Sequence, residues 1–247
     1  MKHLQISMLP TLTHPHETAG KTVVVVDVLR ASTTIVAAMA AGVRQIVPCL
    51  EVDEALNLRP QIDPSALLGG ERGGKPIPGF DLGNSPSEYD SSTVSGKTLC
   101  FTTTNGTRAM MRCSGAARVL IGSFVNLSAT FQAVKEDSEV VILCAGTNGQ
   151  VTREDVLFAG AFAVRAQMSN DAIELNDEAR LAIDAWRSLN RNGILSTEEL
   201  TAQLLQTQGG KNLEALGLHA DIAYSANIDR FDIVPELDLS SWRIGLP

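Results

Sequence analysis

Apolar residues in this chain come in short runs rich in β-branched types, not in long amphipathic blocks. Runs at 4–9, 22–26, 44–47, 66–68, 98–101, 118–121 and 139–143 have the length and composition of strands. Segments with helical spacing lie between them, at 32–41, 51–58, 107–112, 127–135 and 153–168. The four valines at 23–26 leave no polar face, so this strand is covered on both sides. Strand and helix in alternation at this spacing predict βαβ units. The expected fold is α/β, with three layers: a mainly parallel or mixed sheet and helices on both of its faces.

From 171 to 218 the pattern becomes charged and helical, with LNDEARLAIDAWRSL followed by STEELTAQLLQ, which predicts a C-terminal helical addition. Ser196 with Glu199 three residues on is a capping box and marks a helix start. Gly209-Gly210 is expected to end that helix. Short apolar pieces at 221–224 and 232–235 are expected to pack back on the main body. No low-complexity linker divides the chain. It reads as one unit over 1–247, with lobes at 1–170 for the α/β body and 171–247 for the addition.

A sheet of this kind binds its ligand outside the carboxyl ends of its strands, so the loops there are the ones to read. One follows the valine strand and reads DVLRASTT from Asp27. A second, GGERGGKPIPGFDLGNSP over 69–86, concentrates glycine, proline and the fixed groups Glu71, Arg72, Lys75, Asp81 and Asn84. Glycine and proline in that density bring the backbone close to something and fix its path; a rigid surface loop with solvated charges is the plainer reading. The third, TTTNGTR over 102–108, and the fourth, CAGTNG over 144–149, echo each other, each following a strand and preceding a helix. Asn-Gly is common turn chemistry, and two such loops at one edge also offer amides and hydroxyls suited to phosphate.

The totals narrow the partners. Of 247 residues 44% are hydrophobic, enough for one large core, and the net charge of −8 argues against a nucleic-acid binder. An anionic ligand then needs local positive groups or a metal. The four cysteines have no close pairing of the zinc-knuckle kind and read as buried thiols. No apolar run approaches a membrane span, and the start MKHLQISML lacks a secretory design, which places the chain in the cytoplasm, away from membranes. A homodimer is expected on general grounds.

Asp27 ends an all-valine strand, where a carboxylate is costly to bury without a metal, an arginine or a helix amide as partner. Arg30 is suited to fork a phosphate or sulfonate. Glu154 and Asp155 fall in the first turn of a helix, a position that serves a helix dipole as well as a metal. Acids on three loops at one edge suit Mg²⁺, which takes carboxylates, waters and phosphate oxygens rather than a full protein cage. D-x-D, C-x5-R, G-x-S-x-G and P-loop motifs are all absent.

DVLRASTTI at Asp27, the block over 69–86, TTTNGTRA at Thr102, and CAGTNG followed by Glu154-Asp155 together resemble the 2-phosphosulfolactate phosphatase family. The similarity spans most of the chain, including the ending over 219–235. The resemblance implies an unusual α/β fold with its site in a cleft. It also implies a Mg²⁺-dependent phosphatase that converts 2-phosphosulfolactate to sulfolactate and phosphate, a step of coenzyme M biosynthesis. In one departure, Phe158-Ala159-Gly160 stands where relatives have Cys-Ala-Gly. A related phosphorylated hydroxy acid is an alternative substrate, and a non-catalytic binder of a small anionic metabolite is the alternative from another class.

On this reading Asp27, Glu71 and Asp81 are the catalytic candidates, and Asp27, Glu154 and Asp155 the Mg²⁺ ligands. A small phosphorylated anion is held by Ser32, Asn84, Thr103, Thr104, Asn105, Gly106, Thr107, Arg108, Thr147, Asn148 and Gly149, with Arg30 and Arg72 on its sulfonate and carboxylate.

Overall fold

The computed structural model describes residues 1–189 and 195–247. Eleven strands occur among them: β1 (His3–Ser7), β2 (Thr22–Val26), β3 (Gln45–Cys49), β4 (Leu67–Arg72), β5 (Lys75–Pro76), β6 (Thr98–Thr102), β7 (Arg118–Gly122), β8 (Glu139–Cys144), β9 (Glu174–Leu175), β10 (Glu236–Asp238) and β11 (Arg243–Gly245). The helices are α1 (Pro15–Thr18), α2 (Ala31–Ala40), α3 (Val52–Ile62), α4 (Ser91–Val94), α5 (Gly106–Met111), α6 (Leu127–Val134), α7 (Arg153–Ser169), α8 (Asp177–Leu189), α9 (Thr197–Leu205), α10 (Gln208–Ala215) and α11 (His219–Ser225). The helical expectation over 171–218 also takes in 190–194, which lie outside the described residues.

The fold is α/β around one large mixed sheet, in the order β5-β4-β6-β3-β11-β10-β7-β2-β8-β1-β9. Two parallel blocks, β4-β6-β3 and β7-β2-β8-β1-β9, carry the strands expected from the apolar runs. The valine strand shows why helices lie on both faces. Val24 and Val26 pack into a core with Leu157, Phe158 and Phe162 of α7, while Val23 and Val25 pack into a second core with Ile35, Val36 and Met39 of α2. Every residue of β2 is buried, as period-two alternation on a doubly covered strand requires.

Three features depart from the sequence reading. Gly69-Gly70 belongs to β4 and not to a loop, pairing with Phe101 and Thr102 of β6. A β-carbon on Gly70 would overlap the Thr102 carbonyl, so only glycine lets the two strands come this close. Gly209-Gly210 does not end a helix; both residues lie in the first turn of α10, whose cap is Thr207, with its hydroxyl accepting from the Gly210 amide at 3.1 Å. The preceding helix, α9, begins at the Ser196 capping box.

The third departure is the tail. β10 and β11 form an antiparallel hairpin inserted in the middle of the sheet, where Glu236 pairs with Leu120 of β7 and Ile244 with Ile46 of β3. Strands of three residues carry too little period to be seen in sequence, and their partners are remote along the chain. Trp242 anchors the hairpin by donating its indole N–H to the Pro48 carbonyl at 2.9 Å.

Among the described residues, no helix is long and apolar enough to cross a membrane.

Ile244 is fully buried where the hairpin joins the two parallel blocks. Ile244→Ala should lower unfolding free energy by about 2–5 kcal/mol, read from urea denaturation. A loss under about 1 kcal/mol would mean that the hairpin does not hold the sheet together.

Candidate active site

The carboxyl ends of β2, β6 and β8 and the turn after β4 surround a cavity of about 360 Å³, closed on its remaining side by α10. Of the residues expected at the site, Asp27, Arg30, Glu71, Asn84, Thr103, Thr104, Asn105, Thr147 and Asn148 line it. The two TNG loops touch directly, the Asn105 side-chain oxygen accepting from the Asn148 amide at 3.2 Å.

Asp27 divides its work between two oxygens. Oδ1 accepts from the Ala31 amide at 3.3 Å, capping α2, while Oδ2 lies on the side of Gly106. A β-carbon on Gly106 would come within 2.8 Å of Ala31 and 3.2 Å of Oδ2, so glycine lets the β6 loop close over this carboxylate. Burial raises the Asp27 carboxyl to about 7; the Ala31 amide opposes this, the charges of Glu71 and Glu154 add to it, and Arg30 opposes it.

Asp155 and Glu154 share the first turn of α7 and differ in environment. Asp155 is saturated: Oδ1 accepts from the Val28 amide at 2.9 Å, and Oδ2 from the Gly146 amide at 3.0 Å and the Thr152 hydroxyl at 3.2 Å. It ties the ends of β2 and β8 together, with both of its oxygens hydrogen-bonded. Burial, with Asp27 and Glu154 nearby, pushes its carboxyl well above the usual range. Glu154 is buried just as deeply, and its Oε2 has no hydrogen-bond partner among the described residues. Burial raises its carboxyl too. Its other oxygen lies against Gly209, where a β-carbon would overlap it. This contact accounts for glycine at the start of α10.

Glu71 holds two walls together, Oε1 accepting from the amide and hydroxyl of Thr104, both at 2.9 Å, and Oε2 from the Gly74 amide at 2.7 Å. These bonds fix the two loops to each other, and Glu71 also lines the cavity. Asn84 lines the cavity, with its own side-chain oxygen buried and unpartnered among the described residues. Arg30 is buried and donates from Nη1 to Asp221 at 2.7 Å and from Nη2 to the Gly74 carbonyl at 2.8 Å.

The remaining candidates lie away from the cavity. Asp81 accepts from the Leu68 amide at 2.8 Å and faces Arg59 at 3.6 Å, which fastens the turn before it to β4, outside the lining of the cavity. Arg72 donates to Leu50, Thr102 and the Glu71 carbonyl, which turns its guanidinium from the cavity. Arg108 is exposed on the outer side of α5. Ser32 closes the Asp27 turn, donating to the Asp27 carbonyl at 2.8 Å and accepting from its amide at 3.1 Å. Gly106 and Thr107 are buried behind the β6 loop, and Gly149 is exposed at a positive φ of 75°. What the sequence reading missed is the wall made by Gly209, Asn212, Leu213 and Ala215 of α10 and Leu216 just after it, together with Leu29, Gly73 and Gly74, and behind Arg30 its partner Asp221. The paired glycines were the available signal, and they resembled a helix end.

The sequence model of the family described as 2-phosphosulpholactate phosphatase matches residues 7–239. The chain belongs to that family. A protein named probable 2-phosphosulfolactate phosphatase from Caldanaerobacter subterraneus subsp. tengcongensis is 38% identical over 219 residues, covering 88% of each chain. Proteins with the same name from Carboxydothermus hydrogenoformans and Symbiobacterium thermophilum are each 39% identical. They cover 91% and 89% of this chain and 89% and 92% of their own. Phe158 is fully buried, edge-on to Phe124 at 5.6 Å between ring centroids, so it serves the core.

Among the described residues, no three acidic, histidine or cysteine side chains converge as a metal cage. Asp27 and Glu154 are the carboxylates here that have an oxygen to spare. That fits Mg²⁺, which needs one or two carboxylates and takes its other ligands from water and phosphate.

A carboxyl raised from 3.8 to about 7 ionises in the unfolded chain first, so its share of folding stability is present near pH 4 and lost as pH rises through 7. Without divalent cation, Asp27→Asn should therefore be more stable than the wild type at pH 8, by up to about 4 kcal/mol. The gap should close by about pH 4 in melting curves. Equal stability at pH 8 would show that Asp27 carries no unbalanced charge.

Proposed function

We propose that this chain is a Mg²⁺-dependent phosphatase that hydrolyses 2-phosphosulfolactate, or a closely related phosphorylated hydroxy acid, to the hydroxy acid and phosphate. In the pathway implied by the sequence resemblance, this is a step toward coenzyme M. The observation that carries the reading is the charge inventory of the cavity. Asp27, Glu71 and Arg30 are the charged side chains lining it, and Arg30 is already matched by Asp221. A phosphorylated acid brings several negative charges into that space, and among the described residues the one cationic side chain lining it, Arg30, already shares its charge with Asp221. A divalent cation held by Asp27 and Glu154 supplies the balance, and it gives the orphaned Glu154 oxygen a partner.

When bound, Mg²⁺ neutralises the phosphoryl oxygens and lowers the cost of charge movement during hydrolysis. The protein's share is placement. Thr103 and Asn105 on one loop and Thr147 and Asn148 on the other offer the phosphoryl group side-chain hydroxyls and amides, in loops fixed by the bonds from Thr104 to Glu71 and by the contact between Asn105 and Asn148. Arg30 and Asn84 face the part of the substrate that is kept. The Leu29, Leu213 and Leu216 side chains cover the cavity and limit water.

Phosphate release should be measured from 2-phosphosulfolactate and from other phosphorylated hydroxy acids, with and without Mg²⁺. Release should require the metal, and Asp27→Asn should lower it by about 10³-fold, the scale of several kcal/mol of metal-derived stabilisation. Full turnover in that variant sinks the assignment. Binding without release in the wild type would make the chain a sensor of the anion and not a hydrolase.

A further inference from the structure

Asp221 belongs to α11, remote in sequence from every loop of the cavity, yet it holds Arg30, the one basic side chain among the described residues that lines it. The side chains of Arg30 and Asp221 are each 3% exposed, and their contact is 2.7 Å. Asp221 is itself fixed: its Oδ1 accepts from the Ser85 hydroxyl at 2.5 Å. The other terminal nitrogen of Arg30 donates to the Gly74 carbonyl at 2.8 Å. Four segments thus meet at one guanidinium: the loop after β2, the β4–β5 turn, the end of the Gly-rich stretch, and α11.

A guanidinium has five N–H donors, and these two bonds use one on each terminal nitrogen. The other three are not used by these bonds, on a guanidinium that lines the cavity beside Gly74. The free oxygen of Asp27 lies beside Gly106. The cavity therefore presents two chemistries, a carboxylate oxygen suited to a cation with phosphate and a fixed arginine. An unfixed arginine loses side-chain entropy when it binds an anion; one already held by a buried carboxylate and a carbonyl does not.

We propose that Asp221 is a positioning residue that fixes Arg30 to receive the acid group the substrate retains after phosphate has left, and so sets affinity for the hydroxy-acid half of the molecule. This rests on the reading of the cavity as a substrate site. It assigns the C-terminal helix a part in choosing the substrate that its distance from the loops conceals.

The test separates the two halves of the substrate. Sulfolactate and inorganic phosphate are titrated separately, by calorimetry in Mg²⁺, into the wild type and Asp221→Asn. The variant keeps the shape and removes the charge. Sulfolactate binding should weaken by at least about tenfold, the scale of a lost charge-assisted contact, while phosphate changes by less than about twofold. Ser85→Ala keeps the Asp221 charge and removes its anchor; it should give a smaller loss with the same selectivity, and it carries the test if Asp221→Asn does not fold. A purely structural role would lower the melting temperature and leave both affinities of the folded protein unchanged. That result, an equal loss of both ligands, or no sulfolactate binding in the wild type would overturn the proposal. Phosphate release from 2-phosphosulfolactate is measured alongside. Its absence with selective sulfolactate binding intact would remove the hydrolase reading and leave the role of Asp221 standing.

Discussion

Carboxylates buried at the end of an all-apolar strand set the terms for the rest of this structure. β2 carries four consecutive valines into two cores and then stops at Asp27, beside Glu154 and Asp155 on the first turn of α7. Three like charges cannot be withdrawn from water together without compensation, and the compensation is graded. Asp155 has three donors, Asp27 one amide on one of its oxygens, and Glu154 an oxygen with none among the described residues. The saturated acid is the one that joins strands. The undersupplied acids are the ones that each keep an oxygen without a hydrogen bond among the described residues.

The same constraint explains where glycine is found. Gly106 lets the β6 loop lie against Asp27, and Gly209 lets α10 lie against Glu154, so the carboxylates are enclosed by backbone with no intervening side chain. Glu71 then secures the enclosure, because its two oxygens link the loop after β6 to the turn after β4. Its negative charge also acts on Asp27, where it adds to the rise of the carboxyl above its usual range.

Much of this was legible in sequence, for a physical reason. A strand buried on both faces must be apolar throughout, and such runs stand out; the strands and helices of the α/β body fall within a few residues of their expected places. Asp27, Arg30, Asn84 and the TNG loops were legible because the ends of parallel strands are where polar loops converge. The direction of each side chain was not. Arg72 and Arg108 carry the charge that an anion site calls for, yet Arg72 is spent on carbonyls and a hydroxyl behind its own strand and Arg108 points outward. Composition reports which groups are near in sequence, and only packing decides which hydrogen bonds they have already made.

The C-terminal region shows the limit most clearly. Its helices could be recognised from charge and capping, but their position over the cavity depends on how the chain is anchored on either side of them. After α11 the chain runs into β10 and β11, which sit between β7 and β3 in the middle of the sheet. Before α8 it pairs through β9 with β1 at the sheet's edge. The segment that supplies the α10 wall and Asp221 is therefore held to the sheet at both ends. A wall tethered in this way keeps Gly209 against Glu154 and Asp221 against Arg30 at no further entropic cost when a ligand arrives. The hairpin that joins the two parallel blocks, two strands of three residues each, is thus also what keeps the α10 wall of the cavity in place.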